Sequence, residues 1–367
     1  LDVDGVRWLG GVLRQHLARG GSLMFASHLP AEADGPVVDT LDRAEWLAWQ
    51  HVCRVARKVG IEDFGFSKGY TAAYEQFRIL ARDLETLRTR RGVGVILIAG
   101  PSSSGKTTFS KRLSIQLLAR GITPFAMEMD NFFVDREKTP LGEDGKPDFE
   151  SLRALNLDRL YSDVRDLMAG KEVQLPRFDF KTGLSLEGEH AKLNKGDIII
   201  LEGIHGLNPQ LMPELKRENS FRIYVSCLTQ LNLDRHNRIS TTDTRMLRRI
   251  LRDARDRGYT ATDTIRRWES VRQGEKKHIF PYQENADVMF NSALAYELTT
   301  LKPLVEPLLR QVPFGTREFI EAKRLLKFLE WFLPTGTEYV PDNSILREFI
   351  GGSILTDFSL WNQQEQF

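Results

Sequence analysis

Cysteine is scarce in this chain, with two residues, Cys53 and Cys227, among 367. Two thiols without metal-ligand spacing neither staple a fold nor build a zinc site, and they are expected as buried thiols in a reducing compartment. An excess of either charge is also missing. Lys and Arg number 51 against 50 Asp and Glu, a net charge of +1, so no overall field draws the chain to nucleic acid or to a membrane. No apolar run approaches the ~20 residues that span a bilayer. The opening Leu1-Asp2-Val3-Asp4 lacks a basic stretch followed by an apolar core, so no secretory signal is read and the cytoplasm is the expected compartment. It also lacks an initiator Met, which leaves the native start open. Internal repeats and low-complexity tracts are absent too. The remainder is ordinary for a globular protein, with 41% hydrophobic and 28% charged residues in a length that suits two or three domains.

What is present is an ordered alternation of apolar runs and amphipathic stretches from Val93 to about Leu309. It predicts a parallel α/β sheet, doubly wound, with helices on both faces. Strands are expected at Val93–Ala99, Phe125–Met129, Asp197–Leu201, Phe221–Val225 and Ala286–Phe290. Helices are expected at Lys106–Ala119, Asn156–Ala169, Leu228–Asn237, Thr244–Arg257 and Asp263–Gln273. Val134 to Phe149, rich in Pro, Gly and charge, reads as a long functional loop. Before this body, Trp8–Leu17 and Ala44–Val59 have helical spacing, separated by the loop Leu29–Pro36. Gly69–Arg91 is a clearer helix, packing on the core or on a partner chain, which leaves a homo-oligomer open. After the body, residues 299–367 form a helical extension. One helix runs through Phe319–Leu329, Pro334 to Pro341 breaks the pattern, and a short helix follows at Asn343–Ile350. The expected division is therefore 1–91, 92–298 and 299–367.

The chemistry concentrates in the body. Gly100-Pro101-Ser102-Ser103-Ser104-Gly105-Lys106-Thr107 matches the phosphate-loop pattern between a buried strand and an amphipathic helix. Backbone amides of Gly100 to Thr108 would converge on phosphate oxygens at a helix N-terminus. Lys106 would reach the terminal phosphates, and the Thr107 hydroxyl can ligate Mg²⁺. Two more strands end on acids at the same sheet edge, where ligands bind in open parallel sheets. Asp130, in Met127-Glu128-Met129-Asp130-Asn131, is the candidate base or metal-water holder. Glu202, ending Ile198–Leu201, is the candidate Mg²⁺ ligand, and His205, which follows it closely, either faces the site toward the substrate or is a structural histidine. Arg249, Arg252 and Arg257 suit a mobile arginine-bearing lid over the transferred phosphate. Asn194-Lys195-Gly196-Asp197 spells the guanine-specificity pattern of GTPases but precedes its strand, so it reads as a turn at the opposite edge.

Together, the loop, MEMDNFF, LPRFDF (Leu175 to Phe180), IILEGIHGL, RRILRDARDRG and HIFPYQENADVMFN resemble, in order, the uridine kinase/phosphoribulokinase family over Val93 to Ser292. The tail, with AKRLLKFLEWFLP and NSILREFIGGS, resembles a bacterial nucleoside kinase subgroup with extra N- and C-terminal regions. The resemblance implies a P-loop kinase fold and ATP- and Mg²⁺-dependent phosphorylation of a hydroxyl on a small-molecule acceptor, a nucleoside in uridine kinases. It implies Asp130 as the base, Glu202 as part of the metal site, and Phe178, Asp179 and Phe180 in the nucleoside pocket. Departures fall on the acceptor side. Phe178 replaces a Tyr, and no His follows in Lys181-Thr182-Gly183-Leu184. Phe149-Glu150-Ser151-Leu152 stands for Phe-Asp-His-Pro, which leaves Glu150 to grip a diol, and Tyr259 replaces an Arg. A sugar-phosphate kinase would instead need a cationic pocket from Arg153, Arg177 or Lys181. A nucleotide-sensing regulatory protein would use the core without turning over a free acceptor.

Overall fold

Five short apolar runs become one parallel sheet in the computed structural model, which describes residues 72–142, 145–180, 182–228 and 238–356. The strands are β1 (Val95–Ala99), β2 (Pro124–Glu128), β5 (Ile198–Glu202), β6 (Ser220–Ser226) and β7 (Val288–Asn291), in the order β2-β5-β1-β6-β7. All neighbours run parallel, with Val95 opposite Ile199 on one side and Ser220 on the other. Every residue of β1 and β5 is buried, the continuous apolar signature of a strand covered on both faces. Strand order reverses at β1, so its carboxyl end lies at the switch point where such sheets hold ligands. A separate antiparallel hairpin pairs β3 (Val173–Asp179) with β4 (Leu184–Ala191). The sequence reading missed this hairpin.

The helices among the described residues are α1 (Ala72–Arg91), α2 (Lys106–Ala119), α3 (Leu157–Met168), α4 (Thr241–Asp256), α5 (Ala261–His278), α6 (Glu297–Arg310), α7 (Arg317–Leu329) and the short α8 (Arg347–Ile350). Their starts carry local signals. Asn156, Ser240 and Thr316 cap α3, α4 and α7 through side-chain oxygens, and Thr260 with Asp263 forms a reciprocal capping box on α5. In α3, Leu160, Val164 and Leu167 recur on one face and join a core with Val95, Leu97, Phe125 and Leu201. Pro303 interrupts the hydrogen bonding of α6, and the Thr335 amide donates to the Thr299 carbonyl that Pro303 cannot reach, at 3.0 Å.

Two compact units are distinguished. Among the described residues, 72–86 and Ile115–Ile122 form one, in which Arg120 pairs with Glu85 at 2.9 Å and Phe77, Leu80, Ala81 and Leu84 are buried. Leu87–Ser114 and Thr123 onward form the other, which holds the sheet and the site. The expected helices Trp8–Leu17 and Ala44–Val59, Cys53, and all but the first residue of Leu228–Asn237 lie outside the described residues. Cys227 is a buried thiol, as expected. No helix among the described residues is long and apolar enough to cross a membrane.

Candidate active site

The phosphate loop is shaped by close approach. A Cβ on Gly100 would collide with the Val225 carbonyl of the neighbouring strand, so only glycine lets the loop leave β1 there. Gly105 has φ +86°, a left-handed value that suits glycine, and Ser103 takes φ +60° at the loop's apex. The first backbone bond inside α2 runs from the Phe109 amide to the Gly105 carbonyl at 3.0 Å. The amides of Lys106, Thr107 and Thr108 therefore precede the helix's own ladder. The buried hydroxyls of Ser103 and Ser104 make no hydrogen bond, which leaves two polar groups of the loop without a partner. Thr108, expected at the nucleotide, gives its amide to the Glu348 carboxylate at 3.1 Å.

Lys106 and Thr107 converge on one acid. Lys106 Nζ lies 3.8 Å from Glu202 Oε1, and the Thr107 hydroxyl donates to Glu202 Oε2 at 3.1 Å. Glu202 ends β5, as the sequence indicated, and is buried. Burial, with the negative charges of Glu128, Asp130 and Glu348, pushes it up to about 8 against the pull of Lys106. Asp130 requires a correction. β2 stops at Glu128, and Asp130 stands in the 3₁₀ turn Met129–Phe132 rather than on the strand's last residue. Buried Met129 turns the chain there, its side chain filling the space beside Gly203. Asp130 still acts electrostatically on both Glu202 and Glu150. Glu150 is half-buried with its stem against Gly274, and desolvation pushes its carboxyl up to about 7 although Arg249 pulls it down.

The three predicted arginines are gathered by an acid not singled out in the sequence. Buried Asp253 lies 3.1 Å from Arg249 and 3.4 Å from both Arg252 and Arg257. Arg249 also reaches the loop, donating to the Ser102 hydroxyl at 2.8 Å. Burial and the like charge of Arg252 bring Arg257 down to about 10. The helix that bears them is not a loosely held lid. Its inner face is core, anchored by two buried arginines that sequence reasoning passed over. Arg245 pairs with Glu275 and donates to the Ser102 carbonyl at 3.0 Å. Arg248 pairs with Glu297 at 2.6 Å and donates to the Ser292 carbonyl at 2.8 Å. The i,i+4 spacing of Arg245, Arg249, Asp253 and Arg257 was the available signal.

Of the residues expected at the acceptor, Phe178 is buried on β3 between Phe133 and Phe180, with ring centroids 5.5 and 5.2 Å away. The Asn131 side chain accepts from the Phe178 amide at 3.3 Å, tying the hairpin to the turn that holds Asp130. Phe180 is exposed, and Arg257 lies 5.6 Å over its ring. Asp179, expected in the pocket, serves the hairpin turn and accepts from the Thr182 hydroxyl at 2.8 Å. His205, left open as a site-facing or a structural histidine, is the structural kind: it is 2% exposed, and burial, with His278 nearby, holds it down to about 4, a neutral ring near the backbone of Glu150 and Ser151. Of the cationic set for an acceptor phosphate, Arg153 and Arg177 are exposed and Lys181 lies outside the described residues. Asn194–Asp197 is a turn, as read, closed by the Asn194 amide on the Asp197 carboxylate at 2.8 Å.

With this geometry in place, comparison with known proteins decides the family. The family model described as phosphoribulokinase/uridine kinase matches residues 95–298, more than half of the chain. The chain belongs to the phosphoribulokinase/uridine kinase family. Within that family it is similar to a uridine kinase of Deinococcus deserti, 26% identical over 53% of this chain and 86% of the relative. A uridine kinase of Brevibacillus brevis is 29% identical over 53% of this chain and 83% of its own length. The match to a uridine kinase-like protein of Arabidopsis thaliana, 29% identical, spans 53% of this chain and only 38% of that protein. Among solved structures, a possible uridine kinase of Bacillus stearothermophilus is 21% identical with a TM-score of 0.39, over 59% of this chain and 98% of the other.

Proposed function

We propose that this chain is an ATP- and Mg²⁺-dependent phosphotransferase that acts on a hydroxyl of a small molecule, with a nucleoside as the leading acceptor class. The observation that carries the reading is the meeting of Lys106 and Thr107 on Glu202, with Asp130 within electrostatic reach and Arg249 bonded to the loop. The residues fit both absent groups. Buried, unpartnered Ser103 and Ser104 hydroxyls and three amides ahead of the helix ladder suit phosphate oxygens. Among the described residues no three His, Cys, Asp or Glu side chains cluster as a metal cage. A hydroxyl beside one carboxylate suits Mg²⁺, which takes few protein ligands and keeps waters and phosphate oxygens.

ATP, when bound, supplies the transferable phosphoryl group, and Mg²⁺ shields its charge. Lys106 is the loop cation for that phosphate. Thr107 and Glu202 would hold the metal, with Asp130 within electrostatic reach of Glu202. Asp130 accepts the acceptor hydroxyl's proton and aims its oxygen. Arg249, Arg252 and Arg257, aligned by Asp253, balance negative charge at the transferred group. Phe178 and Phe180 offer aromatic faces to a planar acceptor, and Glu150 can bind a diol. A balanced surface charge favours a small acceptor over nucleic acid or membrane, and a cytoplasmic setting agrees with the reducing state expected of Cys227.

A screen of nucleosides, polyols and sugar phosphates for acceptor-dependent ADP release tests the proposal. Asp130→Asn is expected to lower turnover by about 10²–10⁴-fold while ATP affinity stays at the parent value. No acceptor-dependent ADP release from any of these classes, or parental turnover in the Asn variant, overturns it.

A further inference from the structure

The chain beyond α7 returns to the phosphate loop, and it does so outside the family-matched residues. Ile345, Leu346, Phe349 and Leu355 are buried, which fixes the backbone of this stretch. Ile345 sits against Gly105, where a side chain on the glycine would strike its methyl group. Arg248 lies 5.0 Å over the Phe349 ring. Lys111 donates to the carbonyls of Leu355 and Thr356 at 2.7 and 2.9 Å, and Arg255 donates to the Glu348 carbonyl at 2.9 Å. The strap is thus anchored on both sides of Glu348. The Glu348 side chain itself is half-buried, and its Oε2 accepts from the Thr108 amide at 3.1 Å.

That amide lies in the first turn of α2, ahead of the helix's first internal bond. Such donors, with the helix dipole, are what a phosphate uses. A carboxylate there is an anion already in place. It also adds negative charge to a site where Asp130 and Glu202 stand, and a like charge of this kind opposes an incoming triphosphate.

We propose that Glu348 is a built-in phosphate mimic: in the ligand-free protein it occupies the Thr108 amide, and a nucleoside triphosphate gains that donor only when the Glu348 side chain swings aside. The strap backbone need not move, since rotation about the side chain's own torsions releases the amide. The inference rests on the nucleotide-binding reading above and adds to it that the C-terminal extension restrains the donor site.

Calorimetric titration of the full chain with ATP in the presence of Mg²⁺ tests it, on the parent, Glu348→Ala and Glu348→Gln, each checked by circular dichroism and thermal unfolding. Glu348→Ala is expected to bind about tenfold more tightly. Glu348→Gln should fall between, because it keeps an acceptor for Thr108 without the charge. Binding only by the variants would support the proposal more strongly. Equal or weaker binding by Glu348→Ala, with the parent binding ATP, overturns this inference and leaves the functional reading standing. If Glu348→Ala does not fold, Glu348→Gln decides: tighter binding than the parent supports the mimic, and unchanged binding overturns it. No binding by parent or variants removes the nucleotide reading itself, and the mimic with it.

Discussion

The phosphate loop is gripped by the core, whereas the β3–β4 hairpin stands largely in solvent. Behind the loop, Arg245 and Arg248 are buried and each is held by a buried glutamate. Along the hairpin most positions of both strands are exposed or half-buried, and Phe178 is one of its few inward anchors. The departures from the family pattern at Phe178 and after Phe180 fall on the hairpin, and those at Glu150 and Tyr259 also lie outside the loop. On the proposed function, phosphate handling would be bound up with folding, while acceptor selection would fall to parts that can change without disturbing the sheet.

The comparison is most open to being broken at Arg248. Replacing it with Met leaves Glu297 buried and unpaired, and should cost about 3–5 kcal/mol in denaturant unfolding. Joint replacement of Arg248 and Glu297 by apolar residues should recover most of that. A single-variant loss below about 1 kcal/mol would mean that this pair does not hold the loop. His205 tests the seam, since it follows β5 yet packs behind Glu150. Its folded value of about 4 lies below the ordinary 6.5, so the folded state binds fewer protons there than the unfolded chain. The stabilisation is complete above pH 6.5 and fades as the pH falls toward 4, about 3 kcal/mol across that window. His205→Asn should flatten that limb of the stability profile, and an unchanged limb would remove the group from the account. The smallest stability effect is expected at Phe180. Its exposed ring, replaced by Ala, should change stability by about 0.5 kcal/mol or less and raise the acceptor KM about tenfold at unchanged kcat. An equal loss of ATP affinity would show that the two sides are not separable.

Legibility in the sequence follows the same division. Val95–Ala99, the glycine loop and Lys106–Ala119 are contiguous, so strand, turn and helix signals reinforce one another. Glu202 was legible for the same reason. The nearness of Asp130 to Glu202 was legible, but not its backbone setting, because the apolar run continues through Met129 after the strand has ended. The hairpin escaped notice because its outward positions carry Arg177, Glu187 and His190 and its first strand contains Pro176, so neither strand has a clean apolar alternation. Arg245 and Arg248 were passed over beside the three arginines assigned to a lid. Their partners lie 30 and 49 residues away, and only folding reveals that the charges are paired in the core. Asp179 was placed in the pocket by the family resemblance, and His205 was offered for it because it closely follows Glu202. A one-residue step along a strand, as from Phe178 to Asp179, or a tight turn is enough to send a side chain to another surface.

Pro303 gives the tail a fastening point. By withholding one amide it exposes the Thr299 carbonyl, and the strand of chain leaving α7 hooks onto it through Thr335. A replacement that repaired the helix would set a new donor against that hook. What helix propensity scores as a flaw in α6 is, in this molecule, the catch that secures the route by which the last described residues travel back to Gly105.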